Sequence, residues 1–335
     1  MTAPLADAFA LLPGYLAWHV LLSASALVLG VAISLPLAIG AARSPRLRWP
    51  VLALASLVQT IPSLALLALF YPLLLAVSAL ALTLTGHGFS ALGFLPSLLA
   101  LTLYSMLPIL RNGAAGILGV DPAVREAADG VGMTSRQKLL QVELPLAAPV
   151  IMAGVRTAAV WTIGAATLST PVGQTSLGNY IFAGLQTENW VFVLFGCAAS
   201  AGLALAADQL LGLVEAGVRR RSRPLVLAGA VGLIVGVALA LLPLMSFGKP
   251  AAYVVGAKNF SEQYILAELI AGRLEGEGRP GLAPREPRLL HRLFRARRLG
   301  ARCLRRLFRH AVDQRPRPHR QPRPPGGARP AHRRA

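Results

Sequence analysis

Apolar residues run along most of this chain in stretches too long for the core of a soluble domain, and polar residues collect in the short gaps between them. A helix that crosses a bilayer needs about 20 mostly apolar residues. Six stretches qualify: from about Tyr15 to Ala42, from Val51 past Thr60-Ile61-Pro62-Ser63 to about Leu75, from about Leu92 to Leu110, from about Val150 to Thr170, from about Val191 to Val214, and from about Leu225 to Phe247. Pro36 predicts a kink in the first. The second sits in an apolar run that continues to Leu84, so its far boundary stays open. No basic residue precedes the first stretch, which is also too long for a signal-peptide core. It is therefore expected to remain in the mature protein, with 1–14 as a segment outside the membrane. The expected fold class is an all-α integral membrane protein with six spanning helices.

Composition agrees. Hydrophobic residues make up 55% of the chain and charged residues 14%, against roughly 25% charged in soluble domains. The mean hydropathy is +0.58. These values exclude a disordered chain and argue against an ordinary soluble enzyme. The formal charge of +19 is unevenly spread. Residues 1–278 hold 15 basic and 12 acidic side chains, whereas 279–335 hold 18 arginines and two acids.

Within 1–248 every basic residue falls in or beside three alternate loops. Arg43, Arg46 and Arg48 form one group, Arg111, Arg125, Arg136, Lys138 and Arg156 the next, and Arg219, Arg220, Arg221 and Arg223 the last. The N-terminal segment and the loops 85–91 and 171–190 have none. Basic loops stay in the cytoplasm, so the N- and C-termini are expected outside the cytoplasm. Cys197 and Cys303 cannot build a disulfide framework or a metal site between them. Cys197, in an apolar run, reads as a small buried residue.

The longest basic loop, 111–149, carries the most specific pattern. Asp121 before Pro122 is a helix start: the carboxylate accepts free N–H groups of the first turn, and Pro122 lacks an N–H that would be orphaned there. Gly130 and Gly132 break that helix. Thr134 or Ser135 caps a second short helix over Arg136 to Val142, which Pro145 is expected to stop. The spacing of Glu126-Ala127-Ala128, Gly132, Val142 and Leu144-Pro145 resembles the signature loop of ABC importer permeases. The resemblance implies a coupling helix that docks on a cytoplasmic ATPase subunit. Small alanines would permit close approach, Gly132 would allow the turn, and Glu126 would supply one orienting charge.

Three further segments narrow the resemblance: Gln59-Thr60-Ile61-Pro62-Ser63-Leu64-Ala65, Leu107-Pro108-Ile109-Leu110-Arg111-Asn112, and Gly178-Asn179-Tyr180 through Gln186. Over about 12–247 the chain is similar to osmoprotectant permeases, which import glycine betaine, choline, carnitine, proline betaine or related compounds. The resemblance implies a translocation pathway or gate that draws on Gln59, Thr60, Pro62, Pro108, Gly178 and Tyr180. The chain contains no Gly-Lys-Ser/Thr phosphate loop. No covalent chemistry, cofactor or metal is expected on it, and a partner subunit would hydrolyse ATP. The implied partners are that ATPase, a second permease copy (most simply a homodimer), a separate or fused substrate-binding protein and the lipid bilayer, with no nucleic acid. The implied place is a bacterial inner membrane.

Pro62, Pro72 and Pro108 lie in or at the ends of spanning helices, where proline is often merely tolerated. Asp208 lies inside the fifth stretch. An acid there suggests function, yet it is within about two turns of the basic end, and water or Arg219 would satisfy it. The loop 171–190, with Gly173, Gly178, Gly184 and Trp190, reads either as an outer gate or as a flexible connector with an interfacial tryptophan.

Residues 248–278 resemble the opening strand and helix of a periplasmic substrate-binding domain. By that resemblance alone, Lys258, Asn259, Phe260 and Glu262 mark the remnant of a ligand cleft. A two-lobed domain of this kind needs on the order of 200 residues, and the match ends near Gly278. The Arg/Pro-rich stretch 279–335 reads first as the product of a reading-frame slip, next as a disordered extension and last as a basic binding tail. Three rivals stand beside the permease reading. They are an ion-coupled secondary transporter, which would show internal repeats and buried ionisable groups, an ABC permease for another small cargo, and a non-functional frameshifted product.

Overall fold

The computed structural model describes residues 2–245, together with 253–254, 269, 273 and 281–282. It divides into two units, 1–250 and 251–335. The first contains helices α1 (Thr2–Arg43), α2 (Pro45–Thr60), α3 (Ser63–Thr85), α4 (Phe94–Leu118), α5 (Pro122–Gly130), α6 (Ser135–Lys138), α7 (Leu144–Ala166), α8 (Gly178–Gln186), α9 (Trp190–Arg219) and α10 (Arg223–Leu241). Among the described residues six helical segments are long and apolar enough to cross a membrane: Leu5–Arg43, Ser63–Thr85, Phe94–Leu118, Ser135–Val172, Trp190–Arg219 and Arg223–Leu244.

The number of spans agrees with the sequence reading, but several boundaries move. Thr2 to Gly14 are helical and continuous with the first span. The second span is not one helix. Ile61 sits at φ −75°, ψ 126° between α2 and α3, because the ring of Pro62 disfavours helical geometry in the residue before it. α2 has 16 residues, so the membrane-long piece is α3, closed by Gly86 in the left-handed region at φ 74°. α9 takes in Trp190, which the sequence reading left in the outer loop.

Pro145 does not stop a helix. The rod runs on from α6 through a π-turn at Leu139–Glu143 into α7, with Pro145 in the first turn of α7. The wider turn relieves the clash that a proline ring makes with the preceding carbonyl. The second short helix of the loop is accordingly only Ser135–Lys138. Cys197 is exposed on α9, contrary to the buried role expected of it.

α4 is the centre of the bundle. It packs on α1, α2, α3 and α7, and 56% of its most apolar stretch is buried, against 11% for α9 and 6% for α10. In lipid, helices associate through close packing and hydrogen bonds rather than through the hydrophobic effect. The α4 interfaces follow that rule: a Cβ added at Gly154 of α7 would come within 2.7 Å of Asn112 Cβ, and one at Gly113 within 2.8 Å of Ala38 Cβ. Beyond the bundle, β1 (Tyr253–Val254) pairs in parallel with β2 (Gly281–Leu282), and Leu269 and Arg273 between them are helical.

Candidate functional site

The loop between α4 and α7 folds into a compact helical hairpin. Asp121 Oδ1 accepts the backbone N–H of Ala123 at 2.9 Å and Pro122 fills the first helical position, as the sequence predicts. At the far end of α5, Gly132 takes φ +76°. The N–H groups of Val131 and Met133 then return to the carbonyls of Ala127 and Ala128 at 3.1 Å. Thr134 and Gln137 form a reciprocal capping box. Lys138 Nζ donates to both oxygens of Asp129, at 2.6 and 2.8 Å, and pins α6 to α5.

Of the residues singled out in the sequence, Glu126 and Ala127 lie exposed on α5, with Gly132 at the exposed tip. Val131 beside it is 74% exposed. Ala128 turns inward and is buried. Leu144 and Pro145 stand at the root of the hairpin, in the first turn of α7. The pattern thus makes one object with an exposed tip, and at its root Leu144 is half-buried while Pro145 stays exposed.

That root holds a residue the sequence reading missed. Glu143, in the π-turn, is buried between Arg125 Nε at 3.6 Å and Arg43 Nη2 at 3.8 Å. Arg125 also donates through Nη2 to the Ile117 carbonyl at the end of α4. Arg43 donates to the Ser135 carbonyl at 3.2 Å. The available signal was a lone carboxylate beside Leu-Pro in an apolar run; its partners lie far away in sequence.

The residues expected along a pathway fall into separate contact sets. Gln59 Nε2 donates to the Tyr104 carbonyl at 3.2 Å, and the Tyr104 hydroxyl donates to the Ile61 carbonyl. The α2–α3 break is thereby tied to α4. Thr60 and Pro62 are exposed at that break. Pro108 is buried within α4, and its carbonyl, which α-helical geometry would pair with the N–H of Asn112, also accepts the Asn112 side-chain amide at 2.9 Å.

Gly178 and Tyr180 belong to α8. A Cβ at Gly178 would overlap the Thr167 carbonyl oxygen. Tyr180 is fully buried, donates to the Ala8 carbonyl at 2.6 Å, and meets Tyr15, Phe192 and Phe195 edge-on. Burial, then Tyr15, pushes its phenol above its ordinary pKa. In this structure both residues pack the bundle. The loop 171–190 is therefore largely ordered helix rather than a flexible connector. Buried His19 reinforces it: the Leu177 N–H donates to Nδ1 at 3.3 Å, and Nε2 faces the Ile163 carbonyl at 3.1 Å.

Asp208 is not paired with Arg219. Arg156 of α7 grips it through two bonds, at 2.5 and 2.6 Å, and reaches Glu215 at 3.4 Å. These three line a pocket of about 370 Å³ with Ala153, Thr157, Val160 and Trp161. Among the described residues no group of His, Cys, Asp and Glu has the arrangement of a metal site. Lys258, Asn259, Phe260 and Glu262 lie outside the described residues.

Residues 30–220 match the family described as "binding-protein-dependent transport system inner membrane component". The chain is 39% identical over 197 residues to the choline transport system permease protein of Bacillus subtilis (strain 168). That alignment covers 59% of this chain and 83% of the relative. It is 39% identical over 202 residues to the osmoprotectant import permease protein of Salmonella typhimurium (strain LT2), covering 59% and 89%. An inward facing methionine ABC transporter superposes with a TM-score of 0.52 at 19% identity, over 60% of this chain and 93% of that one. An amino acid ABC transporter solved with histidines gives 0.52 at 21%, over 64% and 97%.

Proposed function

The chain belongs to the binding-protein-dependent transport system inner membrane components, and from that premise we propose that it imports an osmoprotectant, glycine betaine, choline or carnitine, as the permease subunit of an ABC importer. The cargo rests on the relatives' names. The hairpin 121–145 is the surface on which the ATPase acts, and the observation that carries this is its construction. A helix with Glu126 and Ala127 outward is capped at both ends, stapled by Lys138–Asp129 and rooted in a spanning helix. A rigid lever of this kind transmits a push, whereas a flexible loop absorbs it.

Two copies enclose the pathway, a binding protein delivers the cargo, and the basic loops face the cytoplasm. The break at Ile61-Pro62, tied to α4 through Gln59 and Tyr104, supports a place for Gln59, Thr60, Pro62 and Pro108 in the moving part of the pathway. Gly178 and Tyr180 support it only by holding α8. An ion-coupled mechanism would need an acid free to change partners, and the grip of Arg156 on Asp208 leaves that acid engaged.

The test is uptake of labelled glycine betaine by liposomes carrying the permease with its ATPase and binding protein. Glu126→Lys reverses an exposed charge on the lever, and Gly132→Leu places a branched side chain at positive φ. Each is expected to lower uptake at least tenfold with membrane insertion unchanged. Normal uptake in both would defeat the coupling assignment.

A further inference from the structure

The hairpin is tight within itself, but the carboxylate at its root stands apart from its two arginines. Its internal polar contacts lie at 2.6 to 3.3 Å. At the root, Glu143 stands 3.6 Å from Arg125 and 3.8 Å from Arg43, well beyond the roughly 2.7–2.9 Å of a charge-assisted hydrogen bond. Glu143 Oε2 and Arg125 Nε are both buried without a hydrogen-bond partner. Buried charged atoms left in that condition are costly, and a small approach of the groups relieves the cost.

Each arginine is also anchored elsewhere, Arg43 on Ser135 of α6 and Arg125 on Ile117 of α4. Through these two arginines Glu143, at the head of α7, is linked to α1, the end of α4 and both hairpin helices. It sits in a π-turn, a local departure from α-helical bonding that recurs at functional sites.

We propose that Glu143 is the positioning residue through which displacement of the hairpin reaches α1 and α7. When the hairpin is pressed toward the bundle, Arg43 and Arg125 close on the carboxylate to hydrogen-bonding distance and draw the ends of α1 and α4 onto α7. When it is released they return to the separations seen here. This rests on the coupling role proposed above and adds a residue that does not touch the ATPase.

Glu143→Gln keeps the shape and removes the charge. In the reconstituted importer, glycine betaine uptake and ATP hydrolysis are measured together. The expected result is hydrolysis within twofold of the unsubstituted complex and uptake per ATP lowered at least tenfold. A purely structural role would lower both together with the amount of assembled complex, and that result overturns the proposal, as does unchanged uptake per ATP. Should Glu143→Gln fail to insert, Arg43→Gln at the half-exposed end of α1 carries the test. It is expected to lower uptake per ATP about threefold, and no change sinks the proposal. Glu126→Lys run alongside separates the two readings: loss of transport there with normal Glu143→Gln defeats only the role of Glu143, whereas normal transport in both defeats the lever itself.

Discussion

A carboxylate inside an apolar helix is tolerated only when something answers its charge. Asp208 is answered by two hydrogen bonds from one guanidinium, the planar geometry that arginine supplies and lysine does not. Glu215 takes the remaining face of Arg156. Asp208→Asn removes the bidentate acceptor and is expected to cost about 1.5–3 kcal/mol, the usual worth of a hydrogen bond to a charged group. The loss is read as a lower unfolding temperature in detergent. Arg156→Met in the same background should add less than it does alone, because the two side chains act as a unit. An unchanged melting temperature in Asp208→Asn would remove the pair from the stability of the bundle. The sequence shows that Asp208 needs a partner, but Arg156 is 52 positions away on another helix. Only the packing of α7 against α9 chooses it over Arg219.

Among the elements, local signals were legible wherever the residues that decide a conformation are neighbours. The Asp121-Pro122 start, the glycine turn and the Thr134 cap are all of this kind. Signals that depend on how a helix continues were not. The chain breaks between α2 and α3 just before Pro62, yet Pro145 is absorbed by the π-turn before it. Nothing in the apolar run around Leu139 marks that turn in advance. α8 was missed for a related reason: its glycines suggest a loop, but in a membrane bundle small residues serve close packing instead. Gly178 illustrates it, since any Cβ there meets the carbonyl of Thr167. Gly178→Ala must push α8 away from the 167–172 turn, a shift of the over-packing kind that costs roughly 1–3 kcal/mol. The same change at Gly164, where a Cβ meets nothing within 4 Å, is expected to be neutral. Equal thermal stability of the two alanine variants in detergent would show that the contact at Gly178 is not tight.

At the scale of the whole molecule, the spans were readable because length and apolarity suffice to identify them. Their burial was not, since lipid accepts the same apolar surface that a neighbouring helix does. α9 and α10 are long and apolar, yet little of either is covered within one chain. That uncovered surface suits the bilayer. Orientation follows from a different rule and makes a separate prediction. Basic residues cluster at one end of the bundle, at Arg43–Arg48, in the α5–α6 hairpin and at Arg219–Arg223, while the 85–91 and 171–190 loops carry none. Translocating those clusters would oppose the membrane potential as well as the insertion bias. In a background with Cys197→Ser and Cys303→Ser, a membrane-impermeant maleimide should therefore label His87→Cys and Gln186→Cys on intact cells. Ser135→Cys should react only after the membrane is opened. Labelling of Ser135→Cys from outside would put the hairpin on the wrong side for an ATPase, and the coupling assignment would fall with the topology.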